Sequence, residues 1–391
     1  MDILVVGAGV QGLTISLELA QRGHSVQLLE RETPGSRASW VAAGLLTPSS
    51  PWKYPLPLIE LAFASEALYP KFVRDLYEQT GIDPEFETEG MIYPIGLEAG
   101  EDSLVFEAER RRQRGYEIEQ LDRETLDRIV PGMGERIEGA LWQPRSSRVR
   151  PPRLLRALIR ACALAGVHLV PFASVERLSL RRGRVTGVVV GEQALAADRV
   201  ILAAGAWSAQ LAASAGLPLA VAPIRGQMLL LQGRRGALGP TINDGEEYLV
   251  PRQDGRILVG STMEDAGFEA VNTPSALDRL RRRALDLFPE TESMKEETHW
   301  AGLRPATPDR LPYLGESKNV EGLILACGHF RNGILLAPGT ARLVGQLVDG
   351  ENPLVELSPF SPDRTVGNQR SWVSSLVSEK SSKGQEVSCL P

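Results

Sequence analysis

The chain has 391 residues, of which 43% are hydrophobic, and its formal net charge is -6. Because a single hydrophobic core stops growing below this length, we expect two domains or one elaborated domain. Binding to a phosphate backbone requires an excess of Lys and Arg, so the acidic balance argues against a nucleic-acid partner.

The cysteines Cys162, Cys327 and Cys389 are far apart and show no CxxC spacing. This usage is typical of a reduced, cytoplasmic protein without a disulfide framework or a metal site. No apolar run approaches the ~20 residues that cross a bilayer, so we expect no membrane contact. The N-terminal segment MDILVVGAG has an acidic second residue and no cleavage region, and we interpret it as a strand rather than a signal peptide.

The first 30 residues predict a βαβ unit, because DILVVGAGVQGLTISLELAQRGHSVQLLE combines an apolar strand, a glycine turn, an amphipathic helix and a second strand. Gly7, Gly9 and Gly12 form G-x-G-x-x-G, and Glu30 ends the second strand at about the ~20-residue distance of a ribose contact. Such glycines allow a tight turn, close approach of a pyrophosphate and packing of helix on strand. The unit predicts dinucleotide binding, and the acid suits either NAD or FAD.

The segment that follows the second strand favours one of these dinucleotides. In an NAD domain this strand usually leads into another crossover helix, whereas here we predict a helix of small residues within SRASWVAAGLL, which begins at Ser36. Small residues let the backbone lie against a large flat ligand. This feature favours FAD.

Two later segments repeat the order of strand, glycine turn and helix. They are ADRVILAAGAWSAQLA, which begins at Ala197 and contains Gly205, and EGLILACGHFRNGILLAPGTARLVGQL, which begins at Glu321. Residues 225–299 alternate like antiparallel strands, and the Asp-Gly turn in RQDGR predicts a hairpin.

These patterns predict an α/β chain with a Rossmann-type FAD-binding domain and a second α+β domain built on an antiparallel sheet. We assign the FAD-binding domain to residues 1–47, 145–224 and 300–365, and the substrate-binding domain to residues 48–144 and 225–299. Residues 366–391 are polar and Ser-rich, so we expect a mobile C-terminal tail with no core of its own.

Four stretches carry a resemblance to a known family: RASWVAAGLL, YLVPRQDGRILVGSTM, HWAGLRPATPDRLPYLG and GHFRNGILLAP. On these stretches the chain resembles the D-amino acid oxidase superfamily, and within it the FAD-dependent glycine oxidases of thiamine biosynthesis, from residue 2 to about residue 364. The resemblance implies a glutathione-reductase-2-like fold, noncovalent FAD, a homo-oligomer such as a homotetramer, and a thiazole synthase as a partner.

The resemblance also implies which residues bind FAD. Besides the three glycines of the first turn and Glu30, they are Val10, Gln11, Arg31, Ala38, Ser39, Ala43, Gly44, Leu45, Val175, Gly205, His329, Phe330, Arg331, Asn332, Gly333, Ile334 and Leu335. Val175 is expected to hold the adenine through its backbone, and residues 329–335 to close over the isoalloxazine ring. A helix that begins near Gly333 would direct its positive end at the flavin.

Around the substrate the resemblance places Arg304, Arg331, Tyr248 and Met263. A guanidinium is a planar fork of donors that matches a carboxylate, so Arg304 is expected to bind the substrate carboxylate, with Arg331 and Tyr248 beside it. We predict no catalytic acid or base and no metal, because the cofactor carries the chemistry and the protein supplies orientation.

The implied reaction is the oxidative deamination of glycine, and of small amines such as sarcosine or D-alanine, by hydride transfer to flavin N5. Its products are an imine or glyoxylate, ammonia, and hydrogen peroxide formed from oxygen. The alternatives are a broader D-amino acid or secondary amine oxidase, a dehydrogenase, an RNA-modification FAD module and a non-catalytic flavoprotein. The acidic balance counts against the RNA module.

Overall fold

A computed structural model of the chain describes residues 1–48, 51–95, 101–245, 247–366 and 371–378. Its strands in chain order are β1 (Asp2–Val6), β2 (Ser25–Leu29), β3 (Met91–Ile95), β4 (Glu119–Asp122), β5 (Gly139–Gln143), β6 (His168–Val170), β7 (Val175–Arg181), β8 (Arg184–Val190), β9 (Gln193–Ala196), β10 (Arg199–Leu202), β11 (Ala222–Gln232), β12 (Thr241–Asn243), β13 (Tyr248–Pro251), β14 (Arg256–Gly260), β15 (Lys295–Ala306), β16 (Tyr313–Glu316) and β17 (Leu323–Cys327). Its α-helices are α1 (Val10–Gln21), α2 (Leu56–Thr80), α3 (Glu101–Arg112), α4 (Arg123–Ile129), α5 (Pro151–Leu164), α6 (Ser208–Ala213), α7 (Pro274–Leu287), α8 (Gly333–Asp349) and α9 (Ser371–Ser378).

The first sheet has the strand order β16-β17-β10-β1-β2-β6, and its neighbours are parallel except at the edge strand β16. Helices α1, α5 and α8 cover one face, and the small sheet β7-β8-β9 with α6 covers the other. Along β1, Ile3 and Val5 pack on the helices while Leu4 and Val6 pack on the opposite side. A strand buried on both faces has to be apolar throughout, which explains the continuous run at the start of the sequence.

The second sheet has the order β15-β11-β14-β13-β12-β3-β5-β4 and is antiparallel except between β12 and β3. Because side chains alternate along a strand, Leu229 and Leu231 of β11 pack on α7, whereas Met228 packs on the opposite face with Tyr248. The predicted α/β fold with a second antiparallel sheet is confirmed, and so is the hairpin, which joins β13 to β14.

The ranges of the two domains stay a prediction, and the strands shift two of their boundaries. Residues 300–306 continue β15, which pairs with β11 along its length. A boundary at residue 300 would therefore cut a strand, and it belongs after Ala306. Similarly, β11 begins at Ala222, slightly before the predicted boundary.

The helix predicted within SRASWVAAGLL is wrong, because these residues form turns and an extended segment. Gly44 has a positive φ of 81°, and its carbonyl accepts a hydrogen bond from Val149 N–H at 2.9 Å. The N–H of Leu46 donates to Ser147 at 3.0 Å. The backbone is thus paired with a neighbouring segment, which prevents it from forming helical hydrogen bonds.

The prediction of a tail without a core is wrong for residues 371–378, which form α9. Val373 and Leu376 are spaced three residues apart, so they share one face of the helix, and both are buried. The remainder of the predicted tail after residue 366, at 367–370 and 379–391, lies outside the described residues. No described helix is long and apolar enough to span a membrane.

Candidate active site

A cavity of about 400 Å³ lies where the carboxyl ends of the parallel strands face the second sheet. The ends of β1, β2, β10 and β17 form one wall, and residues of β11, β13 and β15 form the other. Ligands of open α/β sheets bind at the carboxyl ends of their strands, so this cavity is the expected position of a cofactor.

Most residues predicted for the site line this cavity. They are Gly7, Gly9, Val10, Gln11, Glu30, Arg31, Ala38, Ser39, Ala43, Gly44, Leu45, Val175, Gly205, Tyr248, Arg304, His329, Phe330, Arg331, Asn332, Gly333 and Ile334. Gly12, Met263 and Leu335 are not among its lining residues. Gly12 packs α1 on the glycine turn, Leu335 lies in the core behind the cavity, and Met263 packs against the cluster that contains Phe330.

The glycine turn closes tightly on itself. Gly7 has a φ of 101°, and a Cβ atom placed on Gly12 would lie 1.8 Å from the Gly7 carbonyl oxygen. At Gly9, by contrast, a Cβ atom would approach only the Ser39 hydroxyl, at 3.2 Å. That hydroxyl accepts a hydrogen bond from the Val10 N–H, the first residue of α1, at 2.9 Å. The N-terminus of α1 is thereby directed at the cavity, as phosphate binding requires.

Glu30 and Arg31 line the cavity at the end of β2. The Glu30 carboxylate accepts hydrogen bonds from the N–H groups of Ala8 at 2.7 Å and Glu32 at 3.1 Å. The Arg31 guanidinium lies 3.6 Å from the centre of the Trp207 ring, an arrangement that stabilises a cation. Glu30 therefore supports the backbone of the glycine turn, a role that the sequence did not predict.

The start of α8 is bound to α2 at a point where the helix lacks one of its own hydrogen bonds. Pro338 has no N–H to donate to the carbonyl of Ile334, and the Tyr69 hydroxyl of α2 donates to that carbonyl instead. One turn away, the Ser65 hydroxyl accepts from Gly339 N–H at 2.9 Å and donates to the Leu335 carbonyl at 2.7 Å. Helix α2 thus fixes the helix end that faces the cavity.

Two polar groups beside this helix end lack a partner among the described residues. The Gln11 amide donates to the Gly333 carbonyl at 2.7 Å, but its own oxygen is buried and unpartnered. The Asn332 amide nitrogen is likewise buried and unpartnered, and no side chain caps α8. An acceptor, a donor and the free N–H groups of a helix start fit the polar edge of a flavin.

Arg252 supports the wall formed by Ala43 and Gly44. Its guanidinium is buried and donates to the carbonyls of Ala43 at 2.7 Å and Val149 at 3.0 Å. Burial, together with the nearby Arg148, lowers the pKa of Arg252 to about 10, so it is still a cation at neutral pH. The sequence showed Arg252 only as part of a hairpin turn.

Arg304 lies on β15 and is fixed by two hydrogen bonds from its guanidinium. It donates to the Ser261 hydroxyl at 2.6 Å and to the Thr262 carbonyl at 3.1 Å. Burial lowers the pKa of Arg304, and Tyr248 and Arg331 also interact with its charge, Tyr248 by raising the pKa and Arg331 by lowering it. Two guanidinium groups that line the cavity therefore repel each other, and their combined positive charge favours the binding of an anion.

Gly226 makes room for this arginine and Gly302 makes room for Val41, and the sequence analysis missed both glycines. Gly226 and Gly302 face each other across β11 and β15. A Cβ atom on Gly226 would lie 2.2 Å from a guanidinium nitrogen of Arg304, and one on Gly302 would lie 2.3 Å from Val41. An isolated glycine inside a strand pattern is the signal that could have identified them.

Arg331 and His329 differ in what they can do. Arg331 lines the cavity, and no hydrogen bond joins its side chain to another described residue. The His329 imidazole hydrogen-bonds the Thr340 hydroxyl at 3.1 Å, and burial lowers its pKa to about 3. His329 is therefore neutral at physiological pH and holds no proton to donate as an imidazolium acid.

The family model that matches this chain is described as FAD dependent oxidoreductase, and it matches residues 2–347. The chain is 37% identical to the glycine oxidase of Pseudomonas putida over 367 residues, which cover 94% of this chain and 99% of that protein. It is 36% identical to the bifunctional protein ThiO/ThiG of Synechocystis sp., covering 93% of this chain and 54% of that protein. The crystal structure of glycine oxidase from Geobacillus kaustophilus matches with a TM-score of 0.88 at 36% identity, covering 94% of this chain and 99% of that one.

Proposed function

The chain belongs to the family of FAD-dependent oxidoreductases, with FAD as its cofactor, and from this premise we propose that it is an amino acid oxidase of the glycine oxidase type. The proposed reaction is the oxidative deamination of glycine and of small amines such as sarcosine or D-alanine. The names of the similar proteins in Pseudomonas and Geobacillus support this substrate class.

The observation that carries the proposal is the pair of arginines that line the cavity. Arg304 is fixed by Ser261 and Thr262, and Arg331 has no hydrogen-bond partner among the described residues. We infer that the two guanidinium groups bind the carboxylate of the substrate, with Tyr248 beside them. An amino acid held in this way has one end fixed, so its amine and α-carbon lie on the side of the cavity where the cofactor binds.

The chain's residues position the reactants. When bound, FAD supplies the hydride acceptor. Gly7, Gly9 and the start of α1 would bind its pyrophosphate, and Gln11 with Asn332 would hydrogen-bond its ring. The start of α8 offers N–H groups and a positive helix end that stabilise negative charge. Positioning of this kind can contribute ~7 to 11 kcal/mol to lowering a barrier.

The proposal is tested by mixing the FAD-loaded protein anaerobically with a panel of amines. Reduction of the flavin is measured as the loss of its absorbance near the visible maximum. The panel contains glycine, sarcosine, D-alanine and ethylamine, which lacks a carboxylate. We expect bleaching by the first three and none by ethylamine at the same concentration. Equal bleaching by ethylamine would contradict carboxylate recognition, and no bleaching by any amine would favour a non-catalytic flavoprotein.

Arg304→Ala tests the assigned residue. We expect kcat/KM for the best amine to fall by an amount equivalent to about 2–5 kcal/mol, the usual cost of removing one partner of a buried charge pair, with FAD content unchanged. Lys295→Ala, at the exposed start of the same strand, is the matched control and should leave kcat/KM unchanged. Near-normal turnover by Arg304→Ala would refute the assignment.

We also propose oxygen as the electron acceptor, a cytoplasmic homo-oligomer, and a role in forming the thiazole of thiamine with a thiazole synthase as partner. Family resemblance and the match to 54% of a bifunctional protein named ThiO/ThiG support the last point. Stoichiometric hydrogen peroxide would support an oxidase over a dehydrogenase. Growth of a thiamine-requiring strain that lacks its own glycine oxidase would test the pathway.

A further inference from the structure

Helix α9, at the C-terminal end of the described chain, packs beside the candidate active site. Its Val373 and Leu376 are buried at 4% and 6% exposure, in one apolar cluster with Ile224, Ala306 and Phe330. Ile224 of β11 pairs with Arg304 of β15, so the helix covers the strand ends that carry the proposed carboxylate-binding residue.

Phe330 connects this cluster to the cavity. It lines the cavity and directly precedes Arg331, while its ring is buried with α9. Its backbone has a φ of 48°, in a region that residues other than glycine rarely adopt. Such a conformation persists only where its surroundings hold it, and these surroundings include Val373 and Leu376.

The helix in turn depends on this contact. An isolated helix of eight residues is not stable in water, so α9 forms because one of its faces is buried. The opposite face is polar, and Ser374 on it is exposed. Met263 and Trp372 pack at the edge of the same cluster.

We propose that α9 is a C-terminal clamp that fixes the turn Phe330–Asn332, and that Val373 and Leu376 are positioning residues acting through the Phe330 ring. Without the clamp, the turn can relax from its positive φ, and Arg331 and the unpartnered Asn332 amide move relative to the cavity. The clamp lies beyond residue 347, where the match to the family model ends.

The proposal concerns the wall of the cavity where the cofactor binds, and it holds whichever amine the protein oxidises. It is tested by replacing Leu376→Asp, which places a charge in the cluster, with Ser374→Asp as the matched control on the exposed face of the same helix. The dissociation constant of FAD is measured by flavin fluorescence, together with the visible flavin spectrum and the separate values of kcat and KM.

For Leu376→Asp we expect the FAD dissociation constant to rise about tenfold, equivalent to ~1.4 kcal/mol, with a shifted flavin spectrum and a higher KM. Ser374→Asp should match the wild type in all three properties, and so should Leu376→Met, which is apolar and of similar volume. A chain that ends at Val366 should behave like Leu376→Asp, since it keeps the strands of both large sheets. If that shortened chain binds FAD within twofold of the wild type with an unshifted spectrum, the clamp is refuted.

Discussion

The two walls of the cavity are built in different ways. The cofactor wall comes from local units in which strand, turn and helix follow one another, so that Gly7 and Gly12 contact each other within six residues. The substrate wall assembles Gly226, Ser261 and residues 302–304 from separate strands. The residues of the cofactor wall are close in sequence and form a recognisable motif. The residues of the substrate wall are isolated in the sequence, and which of them meet depends on the register of the strands.

The largest effect should come from the cofactor wall, at Gly12. Gly12→Ala places a methyl group 1.8 Å from the Gly7 carbonyl oxygen, a contact with backbone that no side-chain movement relieves. We expect loss of bound FAD and a destabilisation of about 4 kcal/mol or more, measured by the flavin-to-protein absorbance ratio and by thermal unfolding.

Gly9→Ala is the comparison within the same turn, because its methyl group would meet only the Ser39 hydroxyl at 3.2 Å. It should retain more FAD than Gly12→Ala. The reverse order would show that close approach to the pyrophosphate outweighs packing of the turn.

On the substrate wall, Gly226→Ala should have the next largest effect. Its methyl group would lie 2.2 Å from a guanidinium nitrogen, so Arg304 must move away from Ser261. We expect kcat/KM to fall by the equivalent of about 2 kcal/mol while FAD content stays the same. Gly239→Ala, where no atom lies within 4 Å of the added carbon, is the control. Equal losses in both variants would show a general weakening of the sheet.

A smaller effect should follow from Ser261→Ala, which removes one acceptor from the Arg304 guanidinium without changing its volume much. We expect KM for glycine to rise by the equivalent of about 1 kcal/mol, because one hydrogen bond to a charged group is lost. In an Arg304→Ala background the same change should have almost no further effect. Additive losses in this cycle would show that Ser261 acts independently of Arg304.

The smallest effect at neutral pH concerns His329, whose pKa is lowered by burial to about 3 from its usual 6.5. Between these pH values the unfolded state binds a proton that the folded state does not, so this residue lowers stability as the pH falls. His329→Gln should therefore lose less free energy of unfolding on acidification than the wild type, as measured by denaturant titration. The exposed His168→Gln should follow the wild-type curve.

Local sequence patterns predicted the fold and the glycine turn with Glu30, whereas the other residues of the cofactor wall were implied by family resemblance. The run of apolar residues in β1, the glycine turn and Glu30 stand within 30 residues of each other. Sequence analysis also identified Arg304 and Tyr248 as site candidates through resemblance, and the structure brings both to one cavity.

The parts that the sequence did not predict depend on contacts between distant residues. The backbone of Gly44 and Leu46 is hydrogen-bonded to residues 147–149, so the helix predicted within SRASWVAAGLL does not form. Tyr69 of α2 binds the Ile334 carbonyl that Pro338 leaves free, and Ser65 of α2 bridges the Leu335 carbonyl and the Gly339 N–H. In the tail, a polar composition concealed the spacing of Val373 and Leu376, which have a partner in Phe330.

The position of β1 has a consequence for biosynthesis. This strand is synthesised before its neighbour on one side, β10, which begins at Arg199, and before the next strand of the sheet, β17, which begins at Leu323. The strand that leads into the glycine turn therefore stays unpaired on that side until β10 has been synthesised, and the start of α8 is synthesised later still. At ~5 to 20 residues per second, synthesis of the segment between β1 and α8 takes tens of seconds, so we expect the nascent chain to bind FAD only late in its synthesis.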